Sequence, residues 1–289
     1  MELSGIWKWR YKSYNIAHAS EGHQNLIFRE YGEIYSLANS RFLGGVKPGL
    51  PTVRLYASKK SMSQLMGNLP SSIKNWKKGF LIYPNDKMRE VKLRFRGDNP
   101  SNWIFTKKSW RVKTKKKFLI DRIRVWDYHN LANDYDYVSQ YWGYVFHREM
   151  GLPTPKARLV ELFINDRSHG VYLEAEKLTE NFLRNNGFMP ANLYKGEQIY
   201  SEKAVRLGHD LFDNPSLWKK LAVFNQLPES DLSDMKRFLT ILKEAETSPE
   251  ALRQLIKFAP IKDWSAFSAY QTFTQSWVSD DFHNMRLIF

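Results

Sequence analysis

The sequence has no cysteine, which removes disulfides, zinc–thiolate sites and thiol nucleophiles from consideration. It says little about compartment, because a secreted protein need not carry disulfides. Long apolar runs are missing too. None reaches the roughly eighteen residues a transmembrane helix needs, so no membrane span is expected. The N-terminus, MELSGIWKWRYKSYN, lacks an apolar h-region and does not read as a secretory signal. No repeat period, low-complexity tract or regular βαβ alternation is present. Acidic residues are in short supply: 30 against 44 basic ones, a net charge of +14 and a pI near 9.7. That balance favours polyanionic partners such as phosphates, nucleic acid, anionic glycans or a membrane surface. The excess is partly local, in KKSWRVKTKKK over residues 107–117. Such a run also fits a plain solvated face.

The 289 residues are 43% hydrophobic and 15% aromatic, enough to bury the core of two lobes or one large domain. Residues 1–75 read as an N-terminal extension of unknown role, with a strand over 51–56 and a helix over 58–66. From residue 76 the pattern is strands, over 80–83, 90–96, 109–113 and 118–126. A helix over 136–150 follows, with Val138, Tyr141, Trp142, Val145 and Phe146 on one face. Next come strands over 157–164 and 171–174 about a turn over 165–170, a short helix over 177–184 and a strand over 192–195. After Pro215 the spacing predicts helices over 217–224, 230–246, 249–258 and 263–277, the last with Asp263 as N-cap. The expected class is α+β, a strand-rich half to about residue 200 and a helical half after it.

Chemistry concentrates in three places. Residues 91–113, VKLRFRGDNPSNWIFTKKSWRVK, read as two basic strands joined by a turn-forming loop. Backbone N–H groups there can hold an anion while Arg96, Lys107, Lys108 and Arg111 supply charge; an ordinary exposed hairpin has the same pattern. Glu149 falls on the apolar side of its helix near the C-terminal end, where an acid is costly without a cation, unless the last turn frays into water. The helix over 263–277 runs into Val278-Ser279-Asp280-Asp281-Phe282-His283-Asn284 and then a strand. Protein kinases present a catalytic loop this way, an Asp on the hydroxyl and an Asn on a phosphate-bridging metal. An Asp-rich helix end before a turn looks the same. No G-x-G-x-x-G loop and no H-R-D triplet occur, which sets the chain apart from ordinary protein kinases.

Arg96-Gly97-Asp98 to Trp103 followed by Lys107-Lys108-Ser109-Trp110-Arg111-Val112 resembles the signature of the CotH-type spore-coat kinases, a family of atypical protein kinases. Arg148-Glu149-Met150-Gly151-Leu152-Pro153 resembles the end of that family's central helix. Gly170-Val171-Tyr172-Leu173-Glu174 resembles a family strand shifted by one residue, with Glu176 the other candidate. Asn192-Leu193-Tyr194-Lys195-Gly196 and the segment 280–284 resemble a further strand and the catalytic loop. The similarity covers roughly residues 80–289.

The resemblance implies a kinase-like two-lobe domain over 76–289 that binds ATP with Mg2+ or Mn2+ and phosphorylates Ser or Thr hydroxyls of a protein substrate. Carried over, Lys108 contacts phosphate, with Lys107 the alternative, and Glu149 is its ion-pair partner. Arg96 and Arg111 flank the nucleotide, Glu174 lies near it between the lobes, Asp280 (or Asp281) is the catalytic acid/base residue and Asn284 a metal ligand. The family name points to spores, which leaves cytoplasmic and spore-associated locations open. The segment 280–284 is one residue tighter than the kinase spacing, and His283 replaces the first Asn of the family's pair. The family's second metal-binding Asp lies beyond the next strand, so the gene is expected to continue past Phe289 and this chain to turn over little. A pseudokinase or nucleotide- or polyanion-binding scaffold is the alternative, and transfer of AMP or an amino acid a third reading. Nucleic acid is disfavoured, because the aromatics fall mostly at core spacing rather than interleaved along the basic run.

Overall fold

Alternation in the strands decides which way each side chain faces. In the computed structural model, residues 49–67, 69–84, 87–97, 100–132, 134, 138–197, 210–222, 228–274 and 283–289 are described. The chain divides into two contact units, 1–119 with 125–137 and 158–175, and 120–124 with 138–157 and 176–289.

The first unit holds a closed barrel. Its strands are β1 (Thr52–Ala57), β2 (Lys77–Ile82), β3 (Arg89–Phe95), β4 (Trp110–Lys113), β5 (Val125–His129), β6 (Ala157–Ile164) and β7 (Arg167–Glu176), in the order β1-β2-β3-β4-β5-β7-β6. Closure comes from β1, which pairs antiparallel with β2 and parallel with β6, Thr52 facing Glu161 and Leu55 facing Ile164. So the strand expected within residues 51–56 is a barrel strand. Helix α1 (Lys59–Met66) follows it, and the Ser58 side chain caps that helix by accepting from the Ser61 N–H. Leu93, Phe95, Trp110 and Val112 turn inward and are buried, Phe95 and Trp110 meeting edge to face at 4.6 Å. Lys92, Arg94, Arg111 and Lys113 take the other face, as period-two geometry requires. The register sets Lys78, Lys92 and Lys113 side by side across three strands.

Two expectations shift here. The strand expected over 118–126 begins only at Val125. Asp121 and Arg122 have positive φ (52° and 65°), and Ile120 bridges back to Ile123, so the chain reverses within the expected strand. The turn over 165–170 shrinks to Asn165 and Asp166, also at positive φ (48° and 65°). This is the two-residue hairpin that Asn and Asp tolerate. Asn165 pins it to β1 through Ala57, whose N–H donates to Oδ1 and whose carbonyl accepts from Nδ2.

The second unit carries α2 (Ser139–Glu149), α3 (Glu180–Asn185), α4 (Ser233–Ala245), α5 (Pro249–Phe258) and α6 (Ile261–Thr274). Beside them lies a sheet β10-β8-β9, made of β8 (Leu193–Glu197), β9 (Trp218–Ala222) and β10 (His283–Ile288). Met235, Phe238 and Leu239 of α4 pack with Tyr194, Trp218 and Met285. Phe238 stacks on Trp264 at 6.2 Å. Phe146 and His147 of α2 meet Phe273 and Tyr270 of α6, each at 5.0 Å. The later half is therefore not purely helical. The helix expected over 217–224 is β9, in which buried Trp218 and Lys220 alternate with exposed Lys219 and Leu221. Asp263 sits in the first turn of α6 rather than capping it, because the helix already starts at Ile261. The chain is α+β, with six α-helices among the described residues, none of them long and apolar enough to cross a membrane.

Candidate functional site

The loop between β3 and β4 is tied together by its own backbone and by Asn130. Ser109 N–H donates to Asn102 O (2.6 Å) and Arg96 N–H to Ser109 O (3.1 Å). Asn130 Nδ2 donates to the carbonyls of Ser101 and Lys107, both at 2.8 Å, and its N–H to Ser109 Oγ at 3.0 Å. Gly97 makes the tight entry with φ +88°, where a Cβ would stand 2.7 Å from Asn102 Cβ. No L-residue fits there without moving the loop.

This frame buries two consecutive lysines at the start of β4. Lys107 is 2% and Lys108 9% exposed. Lys107 Nζ donates to Val171 O at 2.6 Å and lies 4.9 Å from the Tyr172 ring centroid. Lys108 Nζ donates to Trp103 O (2.7 Å) and Phe105 O (2.8 Å), and Tyr172 Oη donates to Lys108 O at 3.1 Å. Burial lowers both ammonium groups, Lys107 to about 7 and Lys108 to about 8. Near neutral pH both lysines can therefore exchange protons.

Arg96 and Arg111 converge on one acid. Arg111 grips Asp127 with two bonds, Nε to Oδ1 at 2.5 Å and an η-nitrogen to Oδ2 at 2.6 Å. Arg96 Nε lies 3.3 Å from Oδ2, and another of its nitrogens meets His129 Nδ1 at 2.9 Å. Burial pushes the Asp127 carboxyl up, but the Arg111 bonds and the two guanidinium charges overrule it and hold it below its usual value. His129 is lowered to about 3 by burial and the Arg96 charge, and stays neutral.

Glu174 lies on β7 inside the barrel, fully buried. It accepts from Arg158 Nε at 2.7 Å and Tyr83 Oη at 2.8 Å, while Arg158 also bonds Tyr83. Burial raises its carboxyl, partly offset by Arg158. Three residues further along β7 than Val171, it stands roughly 10 Å from the Lys107 contact. Glu174→Gln should destabilise the protein by about 1–3 kcal/mol in urea unfolding, the cost of weakening a buried charge-assisted bond. Unchanged stability with lost nucleotide affinity would instead mark Glu174 as a ligand contact.

Glu149 is exposed. The expected apolar side of α2 is only partly buried, with none of its residues fully enclosed, so the acid faces water rather than the core. Asn284 belongs to β10 and is described in its main chain only; Asp280 and Asp281 lie outside the described residues. Among the described residues no group of three His, Asp or Glu could hold a metal ion. Thus Arg96 and Arg111 meet on Asp127, the neighbouring Lys107 and Lys108 send their ammonium groups to β7 and to the β3–β4 loop respectively, and Glu174 pairs with Arg158 instead. Asp127, Asn130 and Arg158 escaped the sequence reading. The first had a signal, an acid between aromatics in VWDYH, which is costly without a cation.

The sequence carries a match to the family described as CotH kinase protein over residues 93–288, more than half its length. The chain belongs to the CotH kinase protein family. The CotH match spans the lysine pair, the Asp127 cluster, Glu174 and the segment 280–284. No curated protein matches the chain.

Proposed function

We propose that this CotH-family chain is an atypical protein kinase, transferring the γ-phosphoryl group of ATP to Ser or Thr hydroxyls of a protein substrate. The observation that carries the reading is the buried lysine pair at the start of β4, within the family match. Phosphoryl transfer needs a fixed cation on the phosphates, and a fold seldom buries two adjacent ammonium groups without a use for them. In this reading Lys108, with Lys107 beside it, holds phosphate. Asp280 or Asp281 accepts the hydroxyl proton as the oxygen attacks phosphorus and ADP departs. Asn284 contributes to the Mg2+ or Mn2+ site.

One observation favours a nucleotide-binding pseudokinase instead: Arg96, Arg111 and Glu174 already have partners in Asp127 and Arg158. Calorimetric titration with ATP and Mg2+ tests the shared part. Lys108→Ala should weaken binding by about 1.5–3 kcal/mol, the worth of a charge-assisted bond to phosphate. Undiminished binding would rule out the assigned role. Metal-dependent transfer of label from ATP to a protein acceptor then separates kinase from pseudokinase.

A further inference from the structure

We propose that one end of the barrel docks on an anionic lipid surface. The β2–β3 connection and the loop after β4 emerge at the same end, since β2 and β4 both run antiparallel to β3. Three large apolar side chains stand in solvent there: Met88 at 57%, Phe118 at 40% and Leu119 at 44% exposure. Around them are exposed Lys115, Lys116 and Lys117. Arg89 lies 5.1 Å and Lys117 5.3 Å from the Phe118 ring centroid, which makes the patch continuous. Glu90 is the acid within it, bound to Lys78 at 3.0 Å and Lys115 at 3.2 Å. From residue 107 to residue 120 there is no Asp or Glu at all.

Apolar tips ringed by lysines match the headgroup boundary of an acidic bilayer. The tips enter the acyl edge while the lysines stay with lipid phosphates and carboxylates. A nucleic acid fits less well. Met88 and Leu119 offer no ring for base stacking, and the Phe118 ring already carries two cations. The patch sits at the end of β4 opposite Lys107 and Lys108, so docking leaves that other end of the strand uncovered. The inference does not rest on the kinase reading.

Co-sedimentation of the full chain with vesicles decides it. Binding is expected to phosphatidylcholine containing about a third phosphatidylserine and not to phosphatidylcholine alone. Combined Lys115→Ala, Lys116→Ala and Lys117→Ala should weaken it on the order of a hundredfold. Phe118→Ser with Leu119→Ser should weaken it at least about tenfold at unchanged charge. All five positions are exposed, and matched unfolding midpoints establish that the variants fold. Equal binding to neutral vesicles, no binding at low salt, or full binding by the Phe118/Leu119 variant would overturn the proposal. So would tighter retention of a single-stranded oligonucleotide than of the acidic vesicles.

Discussion

Replacing Asp127 with alanine is expected to cost about 3–5 kcal/mol of stability, because it strands two enclosed guanidinium groups. Asp127 faces Arg111 directly across the β4–β5 ladder, and the Arg96 and Arg111 side chains are only 19% and 15% exposed. With the carboxylate gone, both guanidinium groups lose the acid they share. Chemical denaturation should show a lower midpoint at unchanged slope. The acid side of the pH profile follows from the same cluster. The folded state lowers the Asp127 carboxyl, so its contribution is present above the unfolded value near 3.9 and is lost as pH falls through the lower folded value. Joint replacement of Asp127, Arg96 and Arg111 by Leu, Met and Met should recover much of the loss, since no charge is then left buried. A loss under about 1 kcal/mol for Asp127→Ala would mean that the arginines reach solvent readily.

The second large effect belongs to Lys107. Lys107→Met should raise stability on the order of 1–3 kcal/mol at pH 6, by removing a buried ammonium while keeping its length. The gain has a defined pH window. Folding lowers this lysine from 10.5 to about 7, so between those values the unfolded chain binds more protons than the native one. Wild-type stability therefore rises with pH across that window and is flat below it. The advantage of methionine is greatest at and below pH 7 and fades toward 10.5. Paired unfolding curves at pH 6 and pH 10 read the difference directly. A stability gain with loss of ATP binding would identify Lys107 as a group kept for function at a cost to the fold. A methionine variant less stable at pH 6 would show that the bond to Val171 O outweighs desolvation.

Local periodicity made much of the architecture legible in the sequence. The helices over 249–258 and 230–246 and the strand over 157–164 follow apolar spacing, and α5 and β6 take those bounds. The basic hairpin was legible because Lys92, Arg94, Arg111 and Lys113 alternate with core residues. Segment 217–224 was not: LWKKLAVF satisfies both periods, and only packing of Trp218 and Lys220 against Tyr194 decides for a strand. Barrel closure left no local trace, because it joins residue 52 to residue 161. The lysine pair could be named from its motif. The Asp127 counter-ion could not, since the strand that the sequence predicts over 118–126 stops one residue before it. The positive-φ reversal at Asp121 and Arg122 slides that strand onto Asp127.

The parallel pairing of β1 with β6 also fixes an order of events during synthesis. More than a hundred residues separate Thr52 from Glu161, so a chain leaving the ribosome carries β1 with one edge unsatisfied until β6 emerges. Throughout that interval β2, β3, β4 and β5 can pair in sequence, each with its predecessor, as an open and curling sheet. Its two free edges are templates for other chains. Lysines laid across β2, β3 and β4 charge the outer face of that half-built sheet, and like charge keeps neighbouring nascent chains apart until the ring closes.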